Sequence, residues 1–275
     1  MSKRVKISPA YRRQEDLLRQ KVLAASLPYE AQLLRYRTKT INAIAKQLKE
    51  YPQSEWIDFV KDELNEPYLR GWFRDMYLAA GQPAGERAVR NFLNIKNDEL
   101  NTWEKALFDW IYSQLGNKIV LVNGSLKSWV IDTIEQYIEQ HHTEGVEKIV
   151  KGVEKAIRDK WHDVRQWQIR RIVQTESLTA MSEAADVAIK SLGIKYSKTW
   201  GISGNNTRPA HAEMDGITVG QNDLFLVDNE FLEYPRDGKH GASAGNIINC
   251  RCYCIRKPLN DRGQLITDED ILAMV

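Results

Sequence analysis

The stretch KSLGIKYSKTWGISGNNTRPAHAEMDG, residues 190–216, decides the fold class because the pattern of the sequence changes within it. Up to Gly193 the apolar residues follow a helical period, whereas Lys195 to Gly201 alternate as in a strand. A loop rich in Gly, Asn and Pro follows from Ser203 to Pro209, and Asp215-Gly216 is typical of a turn. The stretch therefore predicts the junction between a helical part and a smaller part that contains strands.

Upstream of this junction, from about Pro28 to Gly193, nearly the whole sequence shows the three-and-four spacing of amphipathic helices. Seven of the eight tryptophans lie in this region and are expected to anchor its core, including Trp167 between basic neighbours. Residues that end helices or favour turns predict breaks at Tyr51-Pro52, Gly81 to Gly85, Asn97-Asp98 and Asn123-Gly124-Ser125. These breaks divide the region into five or six predicted helices.

Downstream of the junction the sequence predicts short strands. Ile217 to Val219 and Leu224 to Val227 have the composition of such strands, and a long loop is expected from Tyr234 to Gly245. Ile247 to Ile255 is predicted as a closing strand, and its alternation places four residues on one face: Ile248, Cys250, Cys252 and Cys254.

The composition indicates a folded soluble protein. Hydrophobic residues at 43% and charged residues at 28% exclude a disordered or membrane class, and the net charge of +2 restricts any DNA contact to a local region. All three cysteines lie within five residues, which indicates a reducing compartment rather than a disulfide framework. The polar start and the lack of a long apolar run predict neither a secretory leader nor a membrane contact.

Three segments stand in a characteristic order: RRIVQTE at 170–176, TRPAHAEMDG at 207–216 and INCRC at 248–252. With a strand tryptophan and the loop YPRD at 234–237, they resemble the Mu F-like phage head morphogenesis family. That family has a Thr-Glu helix, a tryptophan strand, an Arg-Pro-x-His segment with an Asp-Gly turn, a Pro- and Asp-containing loop and a closing Asn-Cys-Arg-Cys strand. The match covers about Trp161 to Pro258, and its motif residues here are Thr175, Glu176, Trp200, Arg208, His211, Asp215, Gly216, Asp237, Asn249, Cys250, Arg251 and Cys252.

The resemblance implies a minor capsid protein of a tailed bacteriophage, present in few copies and without enzymatic activity. The implied partners are the portal protein, sometimes packaged double-stranded DNA, and the major capsid or scaffolding protein. The implied location is the capsid interior at the portal vertex of the virion, and the host cytoplasm during assembly. The resemblance implies no cofactor.

The polar motif residues leave more than one chemistry open. They form no recognised set of nucleophile, acid and base, so no catalytic residue is predicted. The plain expectation is structural: Arg208 pairs with Glu176, Asn249 and His211 hold loops through backbone hydrogen bonds, and the thiols are free. Zinc binding by the Cys-x-Cys segment with His211 or His240 remains an alternative, although the spacing is not the usual paired zinc signature and no metal is predicted.

The first 21 residues carry seven basic and two acidic side chains, the only obvious basic cluster. Such a segment is either a solvated helix end or an arm that contacts phosphates or an acidic face of the portal. The candidate nucleic-acid-binding residues are Lys3, Arg4, Lys6, Arg12 and Arg13.

These observations predict an α+β fold, with a mainly α-helical N-terminal body and a small C-terminal mixed module containing short β-strands. The predicted segments are a basic arm at 1–27, a helical body at 28–160, the Mu F-like module at 161–258 and a tail at 259–275 with a helical turn at 267–270. The predicted function is head assembly with DNA packaging or delivery. The alternatives are a DNA-binding internal head protein and a nucleotide-modifying, toxin-like enzyme.

Overall fold

The computed structural model describes residues 3–62, 66–93, 101–193, 195–204, 206–259 and 263. The helices are α1 Pro9–Gln47, α2 Trp56–Asp62, α3 Glu66–Leu93, α4 Asn101–His141, α5 Val146–Ser191, α6 Pro209–Glu213 and α7 Ala244–Ile247. The strands are β1 Lys3–Arg4, β2 Tyr196–Gly201, β3 Ile217–Gly220, β4 Phe225–Val227, β5 Glu230–Leu232 and β6 Tyr253–Pro258. The predicted α+β class, a helical body with a small C-terminal sheet, is confirmed. The predicted break at Asn97-Asp98 and the predicted turn at 267–270 lie outside the described residues.

The chain forms two compact units. Unit 1 comprises Met1–Ser26, Met76–Ile111 and Gln174–Val275, and unit 2 comprises Leu27–Asp75 and Tyr112–Val173. Each unit combines separated segments because the four long helices α1, α3, α4 and α5 contribute residues to both. The segments predicted from the sequence, in contrast, followed one another along the chain.

Unit 1 contains a four-stranded antiparallel sheet in the order β1-β3-β2-β6. All six residues of the central strand β2 are buried. A separate hairpin pairs β4 with β5 through Asp228-Asn229, and both residues have positive φ, as in the tight turns typical of hairpins. One hydrophobic core of unit 1 contains Trp200 of β2. Its buried members are Trp200, Met214, Val219, Phe225, Val227, Leu232, Cys250 and Cys252.

The predicted break at Gly81 to Gly85 is wrong, because α3 continues through it and through Pro83. The glycines there allow close packing: a Cβ at Gly81 would lie 3.1 Å from the Cβ of Ala184, and one at Gly85 would overlap the Trp103 ring. Glycine in this helix therefore marks contact with neighbouring side chains rather than a turn.

The predicted break at Asn123-Gly124-Ser125 is also wrong, because α4 runs through it. Asn123 is buried in unit 2 and accepts a hydrogen bond from Nη2 of Arg37 at 2.8 Å. The hydroxyl of Ser125 donates to the carbonyl oxygen of Leu121, one turn earlier. Both polar side chains are satisfied within the helical arrangement, so neither needs to end the helix.

The predicted strand at Ile247 to Ile255 is shorter and begins later than expected, at Tyr253. Ile247 ends α7, and Asn249 has φ +58°, which interrupts extended backbone. Cys250 and Cys252 therefore precede the strand. They nevertheless lie in the core that contains Trp200, and Cys254 packs against the same core, while Tyr253 packs with a different cluster, as the predicted alternation of faces requires.

Among the tryptophans, the prediction of burial is wrong for Trp167. Its side chain is 50% exposed, and the guanidinium of Arg171 lies 4.7 Å from its ring centroid. The buried tryptophans are Trp56, Trp72, Trp103, Trp110, Trp161 and Trp200, while Trp129 is half-buried. No helix within the described residues combines the length and apolarity that crossing a bilayer requires.

Candidate functional site

A histidine and two cysteines meet in the core of unit 1. His211 lies on α6, which begins at Pro209, a residue suited to the first turn of a helix. Its Nδ1 atom is 3.4 Å from Sγ of Cys250 and 3.6 Å from Sγ of Cys252. The three residues are only 1%, 2% and 3% exposed, so the cluster is shielded from solvent.

Asn246 on α7 fixes the orientation and tautomer of His211. Its Nδ2 donates to Oε2 of Glu230 at 2.7 Å and lies 3.4 Å from the carbonyl oxygen of Val227, and both of these atoms can only accept. Oδ1 of Asn246 therefore faces His211, whose Nε2–H donates to it at 3.0 Å. Nδ1 is then unprotonated in the neutral ring, and its lone pair points towards the two sulfur atoms.

Arg236 holds the backbone of both cysteines. It is fully buried, and its Nη1 donates to the carbonyl oxygens of Cys250 at 3.0 Å and Cys252 at 2.6 Å. Its Nη2 donates to the carbonyl oxygen of Leu178 and to the hydroxyl of Ser182 on α5. The Cys-x-Cys segment is thereby fastened to α5 within unit 1.

The two thiols are electrostatically unequal. Hydrogen bonding with Cys252 lowers the pKa of Cys250 well below its usual value against the effect of burial, and His211 and Arg236 lower it further. The same hydrogen bond and burial raise the pKa of Cys252. Burial alone would lower the pKa of His211, but Cys250 and Asn246 as hydrogen-bond partners raise it.

This arrangement is compatible with three chemistries. The order Cys250, His211, Asn246 matches the nucleophile, base and orienting residue of Cys-His-Asn proteases. Burial of the thiol and the imidazole opposes that role, because a substrate has to reach the nucleophile. The same atoms could instead form a hydrogen-bonded structural core or bind a metal ion through one nitrogen and two sulfur atoms.

The other motif residues surround this cluster with different partners from those predicted. Glu176 accepts a hydrogen bond from the hydroxyl of Tyr77 at 2.6 Å, and Arg208 donates to the carbonyl oxygen of Ile248. The backbone N–H of Asn249 donates to Oγ1 of Thr175 at 3.2 Å. The side chains of Arg208 and Thr175 therefore both hold the backbone that leads to the cysteines.

The Asp-Gly turn is fixed from two sides. Asp215 accepts a hydrogen bond from the backbone N–H of Ile202 at 3.2 Å and forms a bidentate ion pair with Arg12. Gly216 has φ +78°, and a Cβ at this position would overlap the carbonyl oxygen of Val5. Two further motif residues lie elsewhere. Trp200 packs edge-to-face on His211, with ring centroids 5.6 Å apart. The side chain of Arg251 is exposed.

His240 contacts Asp237 and is not part of the cluster with the cysteines. Asp237 is fully buried, and its carboxylate accepts hydrogen bonds from the backbone N–H groups of Glu233 and Lys239. Nδ1 of His240 lies 2.5 Å from Oδ2 of the same carboxylate. Of the two histidines considered as zinc ligands from the sequence, the structure thus brings only His211 to the cysteines, and Cys254 is not part of this cluster.

The basic N-terminal segment is folded onto unit 1 and is not a free arm. β1 pairs with β3, Ile7 is buried, and Nη2 of Arg4 donates to the carbonyl oxygen of Glu213 at 2.5 Å. With Arg12 engaged by Asp215, two of the five candidate nucleic-acid-binding residues have protein partners. The other three are exposed, and their contact with DNA stays a prediction: Lys3, Lys6 and Arg13.

Asn246 and Arg236 are the site residues that sequence reasoning missed. Arg236 stood inside the quoted YPRD loop, and its place between Pro235 and Asp237 was the available signal. Asn246 carries no comparable signal, because it lies between the loop predicted to end at Gly245 and the strand predicted to begin at Ile247. No protein-family model, curated protein or solved structure matches the chain. The resemblance to the Mu F-like family therefore rests on the motifs alone.

Proposed function

We propose that the protein is a minor head protein of a tailed bacteriophage that associates with the portal and supports head assembly and DNA packaging or delivery. The observation that carries the proposal is the meeting of the motif segments. Thr175 and Asn249, 74 residues apart, share a hydrogen bond, and Arg208 binds the backbone next to Asn249. His211 contacts both cysteines of the closing motif. Motif segments that are separated in the sequence thus share contacts within unit 1.

The proposed role is binding without turnover. The only motif residues with the order of a catalytic triad, Cys250 and His211 with Asn246 behind them, are buried to 2%, 1% and 5% exposure. Their contacts join α6, α7 and the cysteine segment, as expected of a cluster that stabilises the fold. This favours assembly over the toxin-like alternative.

Procapsid assembly tests the proposal. The chain is co-expressed with the portal, scaffolding and major capsid proteins of the same phage, and purified procapsids are quantified by mass spectrometry. We expect incorporation in few copies, and we expect omission of the portal to abolish it. Absence from procapsids, or equal incorporation without the portal, would contradict the proposed portal-associated role.

Contact with packaged DNA is a second candidate function, favoured by a groove in unit 2. The groove lies between α1 and α5, and none of the described residues that line it is acidic: Leu34, Arg35, Thr38, Lys39, Asn42, Arg165 and Gln166. Three cations around one groove suit phosphate oxygens, and the half-exposed Trp167 follows on α5.

Salt-dependent DNA binding distinguishes this groove from the N-terminal segment. Alanine at Arg35, Lys39 and Arg165 together is expected to reduce the slope of log K against log salt by about 0.9 for each phosphate that the variant no longer neutralises. Alanine at Lys3, Lys6 and Arg13 is the matched control with the same change in charge. A larger reduction of the slope in the control would move the DNA-binding surface to the N-terminal segment.

A further inference from the structure

The imidazole nitrogen and the two sulfur atoms in the core of unit 1 are spaced as the corners of a metal site. Zinc bonds of about 2.3 Å to sulfur and about 2.0 to 2.1 Å to nitrogen, at tetrahedral angles, separate nitrogen from sulfur by about 3.6 Å. Nδ1 of His211 lies 3.4 Å from Sγ of Cys250 and 3.6 Å from Sγ of Cys252, and all three atoms lie within 4.8 Å of one another. We infer that His211, Cys250 and Cys252 bind a thiophilic divalent cation, Zn²⁺.

The single lone pair of Nδ1 favours a metal ion over direct hydrogen bonds from both thiols to this nitrogen. One lone pair accepts one good hydrogen bond, which requires one short sulfur contact, whereas here both sulfur atoms lie at similar distances from the same nitrogen. A metal ion placed between the three atoms satisfies all of them at once. The geometry is therefore that of three ligands around a common centre.

The surrounding residues supply what a metal site requires beyond its ligands. Metal-bound histidine typically donates its other N–H to an oxygen acceptor, and His211 donates Nε2–H to Asn246, which Glu230 holds in turn. Arg236 fixes the carbonyl oxygens of both cysteines and so places their sulfur atoms. Hydrogen bonds from outside the cluster therefore hold the ring of His211 and the backbone of both cysteines in place.

The charges also balance inside a buried site. Binding of Zn²⁺ releases the two thiol protons to solvent and leaves two thiolates and a neutral imidazole around the ion, a set without net charge. Such a neutral centre avoids the cost of an uncompensated ion in a site that is at most 3% exposed at each ligand. Within the part of the chain that the structure describes, no further His, Cys, Asp or Glu joins the three.

Metal analysis of the full chain tests the assignment independently of head assembly. Protein purified from zinc-containing medium without chelator is expected to carry about one zinc ion per chain, as a single site requires. Serine at Cys250 or Cys252, or alanine at His211, is expected to abolish it. Cys254→Ser is the matched control, because Cys254 is a neighbouring cysteine outside the cluster, and it is expected to keep its zinc.

Two further measurements cover the case in which the ligand variants fail to fold. Asn246→Ala keeps all three ligands and is expected to weaken zinc binding about 10- to 100-fold in chelator competition, since the acceptor of the histidine is removed. Cobalt added to the metal-free wild-type chain is expected to give the thiolate charge-transfer and ligand-field bands of a tetrahedral site. Folded wild-type protein with no zinc and no such bands overturns the assignment. So does an intact mass that shows a Cys250–Cys252 disulfide, or an equal absence of zinc from Cys254→Ser.

Discussion

Replacing Asp186 by asparagine is expected to destabilise unit 1 by about 3–5 kcal/mol, the cost of removing one partner from a buried ion pair. Oδ1 of Asp186 on α5 accepts hydrogen bonds from Nε of Arg256 at 3.1 Å and from the hydroxyl of Tyr196 at 2.9 Å. Nζ of Lys190 lies 2.6 Å from Oδ2. The side chain of Arg256 is only 4% exposed, so the substitution leaves a buried guanidinium without its counter-charge.

The pH dependence of this effect has a defined sign. Burial alone would raise the pKa of Asp186, but Arg256 and Lys190 outweigh it and lower the pKa from 3.8 to about 2. Because the folded pKa lies below the unfolded one, the carboxylate contributes its full stabilisation above the unfolded value and loses it as the pH falls towards the folded value. The difference between wild type and variant should therefore be constant near neutral pH and shrink between about pH 4 and pH 2.

Urea unfolding followed by circular dichroism and tryptophan fluorescence measures the difference. Asp109→Asn is the matched control: Asp109 also pairs with a lysine four residues away, Lys105, at 2.9 Å, but the two side chains are 66% and 81% exposed. The control should leave the unfolding midpoint unchanged, as is common for exposed pairs. Equal stability of the Asp186 and Asp109 variants would refute the reasoning.

Two further pairs of substitutions test the packing by thermal unfolding. Gly216→Ala should cost more than about 1 kcal/mol, because its φ of +78° and the nearby backbone oppose a side chain, whereas Gly124→Ala in α4 should gain up to about 1 kcal/mol, since nothing lies within 4 Å of a Cβ there. A stabilised Gly216 variant would contradict the first expectation. Trp200→Ala should cost about 3–5 kcal/mol and Trp167→Ala less than about 0.5 kcal/mol, because the first ring is buried and the second is half exposed. Equal destabilisation of the two tryptophan variants would show that their burial is misassigned.

The sequence was informative where its periodicity was strong. The change from helix to strand after Gly193 was placed correctly, and β2 lies where alternation predicted it. The strands β3 and β4 lie where composition and a preceding turn predicted them. The turn at Asp215-Gly216 precedes β3 as expected, because the left-handed backbone there suits glycine. Local signals of period and turn chemistry therefore fix these elements without tertiary information.

The errors arose where tertiary packing reverses a local signal. Glycine normally weakens a helix, but Gly85 in α3 makes room for the ring of Trp103, a residue in a different helix. Asn123 favours a turn, yet its buried partner Arg37 comes from 86 residues away. Neither partner can be identified from the residues next to the glycine or the asparagine.

The sequence identified the three residues of the cluster, but it did not predict the hydrogen bonds that hold them in place. His211, Cys250 and Cys252 were all named from the sequence, and zinc was considered with either of two histidines. Only the fold shows that Asn246 orients the ring of His211 and that Asp237 engages His240. The hydrogen bond between His211 and Asn246 joins residues 35 positions apart, and no periodic pattern in a single sequence indicates such a pair.

Association with the portal is the property on which the proposed function depends most directly. Co-expression of the full chain with the portal protein of the phage that the proposal implies, followed by size-exclusion chromatography with and without nuclease, measures it. The proposed function predicts a complex that co-elutes and survives nuclease treatment. No complex, or a complex that disappears with the nucleic acid, would contradict direct portal binding and favour the DNA-binding alternative.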